Sequence, residues 1–213
     1  MTFQAPTILV GFAAEAAIAR RTGWPVVIGG GTEAGAARVA RQAIAAGARG
    51  LVSFGLAGGL DPALPAGRLI VPEAVLAHGR RWPADPGLLR SLGGPSGPLL
   101  LGLDRIAASA KEKRRLWADT GASAVDMESG AVAEAAKEAG IPFAVLRAIC
   151  DPADRDLPPA AAVALDAEGR IALGRLIGSL IAHPGQIPAL IGLARDAALA
   201  RKTLLAMATA LAD

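Results

Sequence analysis

Short runs of aliphatic and β-branched residues, each closed by Gly or Pro, alternate along this chain with Ala-rich stretches of helical character. No other feature narrows the fold as far, because strands separated by helices are buried on both faces and pair into a largely parallel sheet. Strands are expected over residues 7–11, 26–29, 50–55, 68–76, 99–103, 124–127 and 143–150, and helices over 14–21, 33–46, 105–118, 129–139 and 160–182. Residues 82–98, rich in Pro and Gly, read as a loop or flap of the kind that borders a site. A chain of 213 residues needs only one core. The expected fold is a single α/β domain: a central mixed, largely parallel sheet flanked by helices over residues 1–183, and a C-terminal amphipathic helical extension of the same domain over 184–213.

Composition removes several function classes. With 53% hydrophobic and 19% charged residues, the chain is not disordered. Aromatics are 3% and Tyr is absent, which leaves no stacking platform for single-stranded nucleic acid, and no basic stripe marks a duplex binder. A net charge of +3 weakly favours an anionic substrate or membrane surface. The lone Cys150 has no disulfide partner, and no Cys or His pair has zinc-ligand spacing, so a reducing cytoplasm and no metal are expected. No signal peptide is read at the N-terminus. The most apolar tract, residues 171–193, is interrupted by Arg175, His183, Pro184 and Gln186, against a membrane span.

Beyond His183-Pro184-Gly185, Leu193, Ala197, Ala200, Leu204, Met207 and Leu211 recur at helical spacing, with Arg195 and Lys202 on another face. Such a stripe packs on its own domain or across a dimer; the alternative is contact with a membrane surface.

Three stretches could carry chemistry. In Ser53-Phe54-Gly55-Leu56-Ala57-Gly58-Gly59-Leu60 a strand runs into a small-residue turn, where glycines let a ligand approach the backbone or simply turn the chain. In Val125-Asp126-Met127-Glu128-Ser129 a strand delivers two carboxylates flanking Met127 and then starts a helix. A carboxylate there can accept both hydroxyls of a ribose, or only favour the helix N-terminus. In Arg147-Ala148-Ile149-Cys150-Asp151-Pro152 an apolar strand ends in Asp151, where ligands bind in open α/β sheets, although Asp before Pro is also an ordinary turn. His78 reads as a surface residue and Cys150 as a small packing residue with no His to activate it.

The order of a turn like "AGGL", a strand end "ME" and the run "RAI-x-D" resembles the nucleoside phosphorylase and methylthioadenosine nucleosidase superfamily over residues 8–154. The whole sequence looks most like the bacterial hopanoid-associated phosphorylases within it. The resemblance implies cleavage of the N-glycosidic bond of a purine nucleoside. Glu128 would bind the ribose hydroxyls, Met127 would pack on the sugar, and Asp151 would hold the purine and give it a proton. Gly55, Leu56, Ala57 and Gly58 would form the loop on the base and phosphate side, and Glu15 matches the water-activating glutamate.

Two departures bear on the reaction. Where phosphorylases of the family carry an Arg before the glycine turn, this chain has Ser53 and Phe54; Arg20, Arg21, Arg38 or a partner subunit's Arg could substitute. Water and inorganic phosphate thus both stand as acceptors, with no other cofactor expected. Leu56 replaces the Ser of many nucleosidases and makes the pocket more apolar. The substrate expected from this resemblance is adenosylhopane, which would yield adenine and a ribosyl or phosphoribosyl hopanoid in hopanoid biosynthesis. The alternatives are a methylthioadenosine or adenosylhomocysteine nucleosidase, and a catalytically silent nucleoside-binding protein at the membrane surface. A cytoplasmic homodimer, peripheral at the inner face of the membrane, is expected.

Overall fold

The computed structural model describes residues 5–159 and 184–212. Its strands are β1 (Thr7–Val10), β2 (Val26–Ile28), β3 (Leu51–Gly59), β4 (Leu69–Ile70), β5 (Ala74–Ala77), β6 (Arg80–Pro83), β7 (Leu100–Gly102), β8 (Ala124–Asp126) and β9 (Phe143–Asp151). Among the described residues the α-helices are α1 (Ala13–Ala19), α2 (Glu33–Ala45), α3 (Pro86–Ser91), α4 (Ala110–Thr120), α5 (Ser129–Glu138) and α6 (Ile187–Ala210). The helix expected over 160–182 lies outside the described residues.

The nine strands among the described residues form one mixed sheet, ordered β2-β1-β3-β8-β7-β5-β6, with β9 on the other edge of β3 and β4 beside β9. The long central strand β3 pairs in parallel with β9 from Leu51–Phe143 to Gly58–Asp151, with a register shift between Ala57 and Gly58. Its opposite edge changes neighbour midway. Residues 51–53 pair in parallel with β1, whereas Gly58 and Gly59 pair antiparallel with β8. The carboxyl ends of β1 and β8 therefore approach each other over residues 54–57. A switch of neighbours of this kind opens a crevice at strand ends, where ligands bind in α/β sheets.

Helices cover both faces. Val39 and Ala40 of α2 and Val132 and Ala136 of α5 pack with Val145 in one apolar cluster. Ala16 of α1, Leu88 of α3 and Leu204 of α6 pack with Val10, Phe54 and Leu146 in another. Local signals set the helix ends. Thr32, Asp85 and Ser109 are N-caps whose side chains accept from the backbone N–H of Gly35, Leu88 and Glu112, and α4 stops at Gly121 with φ +68°.

Four expectations are corrected. The strand read as ending at Gly55 continues to Gly59, because β9 and then β8 supply partners along its whole length. Residues 68–76 divide into β4 and β5 around Pro72, and a helix expected from 105 begins at Ala110, after its Ser109 cap. The supposed flap over 82–98 is not one. It begins within a β5–β6 hairpin whose turn residues His78 and Gly79 have φ of 51° and 71°, then forms α3, and it buries Trp82, Leu88, Leu89 and Leu92.

The C-terminal stripe faces the domain. Ala200 and Leu204 are fully buried, Met207 and Leu211 pack against the same cluster, and Leu193 and Ala197 reach a cavity wall. No helix among the described residues is long and apolar enough to cross a membrane.

Candidate active site

A cavity of about 310 Å³ opens where β3 changes neighbours. Its lining is mostly apolar: Phe12, Leu56, Val125, Met127, Leu193 and Ala197 contribute, together with the carboxylates Asp126, Glu128 and Asp151. Size and chemistry suit a small organic ligand fixed by a few polar groups.

One end is organised by Arg147, the single charged residue inside the apolar strand β9 and only 1% exposed. A guanidinium so deeply buried must be paired. Its Nη2 lies 2.7 Å from Asp126 Oδ2 and 2.5 Å from Glu128 Oε2, and it donates to Ser53 Oγ at 2.8 Å. Nη1 donates to the Leu56 carbonyl at 3.3 Å, while Nε has no partner among the described residues. Burial opposes the charge on Arg147, but Asp126, Glu128 and Glu15 outweigh it and hold the pKa above its ordinary value.

Asp126 is turned inward. Its Oδ1 accepts from the N–H groups of Glu128 and Ser129 at 3.3 and 3.1 Å, and its Oδ2 from Ser129 Oγ at 2.5 Å. It thereby fixes the β8–α5 turn that presents Glu128. Burial pushes Glu128 up to about 7, against the pull of Arg147 and with help from Glu15 and Asp126.

Glu15 lies just behind the cavity wall, 4% exposed. Its Oε2 accepts from the N–H of Gly11 and of Phe12, both at 3.0 Å, and its Oε1 from the N–H of Leu56 at 2.8 Å. These bonds join the ends of β1 and β3 through one carboxylate. Burial raises its pKa, with Arg147 and the three N–H groups opposing. Two glycines make this crowding feasible: a side chain at Gly11 would overlap Glu128 Oε1, and one at Gly55, with φ +150°, would overlap Glu15 Oε1.

At the other end Asp151 closes β9, and its Oδ2 lies 2.7 Å from Nζ of Lys113 on α4. Burial raises the Asp151 pKa, and Lys113 works against the rise. The neighbouring Cys150 is half-buried, with its thiol pushed up to about 12 by burial and by Asp151 and Glu15, so it is present as a thiol rather than a nucleophile.

Of the residues expected from sequence, Glu128, Met127, Asp151, Leu56, Ala57 and Gly58 line the cavity, Glu15 stands behind it, and Gly55 lies beneath, over Glu15 and Arg147. Arg20, Arg21 and Arg38 are exposed and do not line it. Arg105 does, and it is paired with Glu112. Arg147 and Lys113 were not among the expected site residues. A lone Arg within an apolar strand was a usable signal; nothing set Lys113 apart from the charged run around it. Among the described residues no group of His, Cys, Asp and Glu is arranged to hold a metal ion.

A family model described as the phosphorylase superfamily matches residues 15–87 and 96–182. No curated protein sequence matches the chain. Solved structures share its fold. The 5'-methylthioadenosine/S-adenosylhomocysteine nucleosidase of Helicobacter pylori, bound to butyl-thio-DADMe-Immucillin-A, superposes with a TM-score of 0.69 at 18% identity, over 97% of this chain and 98% of that one. The Neisseria meningitidis enzyme of the same name, with methylthio-immucillin-A, gives 0.68 at 17% identity over 98% and 100%. The S-adenosylhomocysteine nucleosidase of Streptococcus pyogenes, in complex with 5-methylthiotubericidin, gives 0.67 at 16% identity over 92% and 98%.

Proposed function

The chain belongs to the phosphorylase superfamily, and from that premise we propose that it hydrolyses the N-glycosidic bond of a purine nucleoside bearing an apolar 5′ group. One observation carries this reading: Glu128 and Asp151 face a single cavity from opposite ends, with Glu15 immediately behind its wall.

In the proposed reaction Glu128 accepts hydrogen bonds from the ribose hydroxyls, oriented by Arg147. The bond from the anomeric carbon to the base nitrogen breaks, its electron pair leaves with the purine, and Asp151 supplies the proton that makes the base a neutral leaving group. Water adds to the oxocarbenium-like carbon and gives up a proton to Glu15. Burial acts in the direction both roles need, raising the carboxyl pKa of Asp151, the proton donor, and of Glu15, the base.

Water is favoured over phosphate on electrostatic grounds. An anion at the ribose end would meet Glu15, Asp126 and Glu128, and the one buried guanidinium there already serves two of them.

Phe12, Leu56, Leu193 and Ala197 support an apolar 5′ group. With the sequence resemblance they favour adenosylhopane, whose ring system would extend outside the cavity. The half of α6 that carries Leu193 also exposes Ile187 and Ile191, which could meet such a lipid or the membrane holding it. The small cavity favours a second substrate, methylthioadenosine or adenosylhomocysteine.

Adenine release from adenosylhopane and from methylthioadenosine, each with and without phosphate and with Asp151→Asn as control, separates these readings. Phosphate-independent release from the hopanoid is expected. Release from methylthioadenosine alone selects the second substrate, and binding without release from either overturns the enzymatic reading.

A further inference from the structure

Lys113 is the one basic residue of α4 with no exposed surface; Lys111, Arg114 and Arg115 stand at or near the surface of the same helix. Removing an ammonium from water is costly unless each of its protons finds an acceptor. Lys113 Nζ has three partners: Asp151 Oδ2 at 2.7 Å, the Pro152 carbonyl at 3.0 Å and the Arg155 carbonyl at 2.9 Å. Two are backbone oxygens of the turn that follows Asp151, and the third is the carboxylate facing the cavity. The same turn is tied to the start of α4 by Ala110 N–H to Asp156 Oδ1 at 2.7 Å and by Leu157 N–H to the Ala108 carbonyl at 2.8 Å.

Asp151 Oδ1, in contrast, has no partner among the described residues. We propose that Lys113 is a positioning residue for the proton donor: by occupying Oδ2 it leaves Oδ1 as the oxygen that carries the proton toward the purine. This deepens the nucleosidase reading and rests on it. Before transfer, Oδ2 accepts from the ammonium as a carbonyl oxygen while Oδ1 holds the proton. As the glycosidic bond breaks, that proton moves to a base nitrogen and the electron pair of the O–H bond stays on Asp151. The oxocarbenium-like carbon keeps the positive charge until water adds, and the new carboxylate charge on Asp151 is paired with Lys113 as it forms.

Among the described residues the other charged or titratable groups near Asp151 are Arg155 from the following turn, Asp196 from α6 and Cys150 on β9. Arg155 and Asp196 lie 2.6 Å apart and largely answer one another. Lys113 is therefore the group whose removal should alter Asp151 most.

The test is a carboxyl carbon NMR titration of Asp151, its signal identified by loss in D151N, alongside the pH profile of kcat/KM for adenine release. In Lys113→Met, and in Lys113→Gln, which keeps an amide donor for the turn carbonyls, the Asp151 titration should rise by about one to three units. The alkaline limb of kcat/KM should follow it, while Lys113→Arg restores both toward the wild type. Unchanged titration in folded Lys113→Met and Lys113→Gln, or a fall in rate with no shift of the alkaline limb, overturns the proposal. Failure of the nucleosidase reading looks different: the wild type then releases no adenine, yet the NMR titration still reports on Lys113.

Discussion

Gly55 and Arg147 sit opposite one another in the parallel β3–β9 ladder, and a Cβ on Gly55 would fall 2.7 Å from Arg147 Nη1 while overlapping Glu15. The glycine is therefore required by the charged cluster beneath it.

Gly55→Ala should destabilise the fold by about 1–3 kcal/mol through overpacking, and more if the left-handed backbone strains. Denaturant unfolding reads the loss. Because Glu15 must move to admit the methyl group, the variant should also lose most of its glycosidase rate. Gly121→Ala, at φ +68° but with open space around it, should cost stability and leave the rate intact.

Arg147→Met removes the one cation found among these three carboxylates in the described residues and should cost about 3–5 kcal/mol near neutral pH, as expected when one partner of a buried ion pair is lost. With Arg147 gone, Glu128 and Glu15 hold their protons more tightly, so the deficit should shrink as the medium is acidified. Thermal melts across pH check both statements.

Glu128 has a folded pKa raised from 4.5 to about 7, so between those values the folded state binds more protons than the unfolded chain. Its contribution to stability is fully present below 4.5 and is lost as the pH rises through about 7. Glu128→Gln should flatten that part of the stability profile and, on the proposed reaction, raise KM for the nucleoside through loss of the proposed ribose contact. A profile that stays steep would assign the titration to another group.

The apolar wall formed by Phe12, Leu56 and Leu193 predicts a trend along a series of 5′-alkylthio adenosines. Each added methylene that remains in contact should raise kcat/KM by about fourfold, from roughly 0.8 kcal/mol of transfer free energy. Leu193→Ser should flatten the trend without changing phosphate dependence.

Much of this architecture was legible because it rests on local pattern. The alternation of strands and helices gave the α/β class, and Glu128 and Asp151 stood out because one follows and the other closes an apolar strand, where side chains meet ligands; both line the cavity. The positions that were missed depend on distant partners. Lys113 meets a backbone carbonyl 42 residues away, and the residues flanking it in α4 are also charged. Trp82 and Leu88 were assigned to a flap because Pro and Gly nearby suggested turns; their burial follows from the tertiary position of the β5–β6 hairpin and α3, which local composition does not report.

The stripe on α6 has a practical consequence. Leu193 and Ala197 wall the chamber while Ala200, Leu204 and Ala208 sit in the core, so one rigid rod couples the protein's cohesion to the shape of its binding space. A terminal deletion made to trim a dispensable tail would unseat the domain. Conservative changes at 193 and 197 alone offer a dial on ligand scope, adjustable without disturbing the acid groups on the sheet.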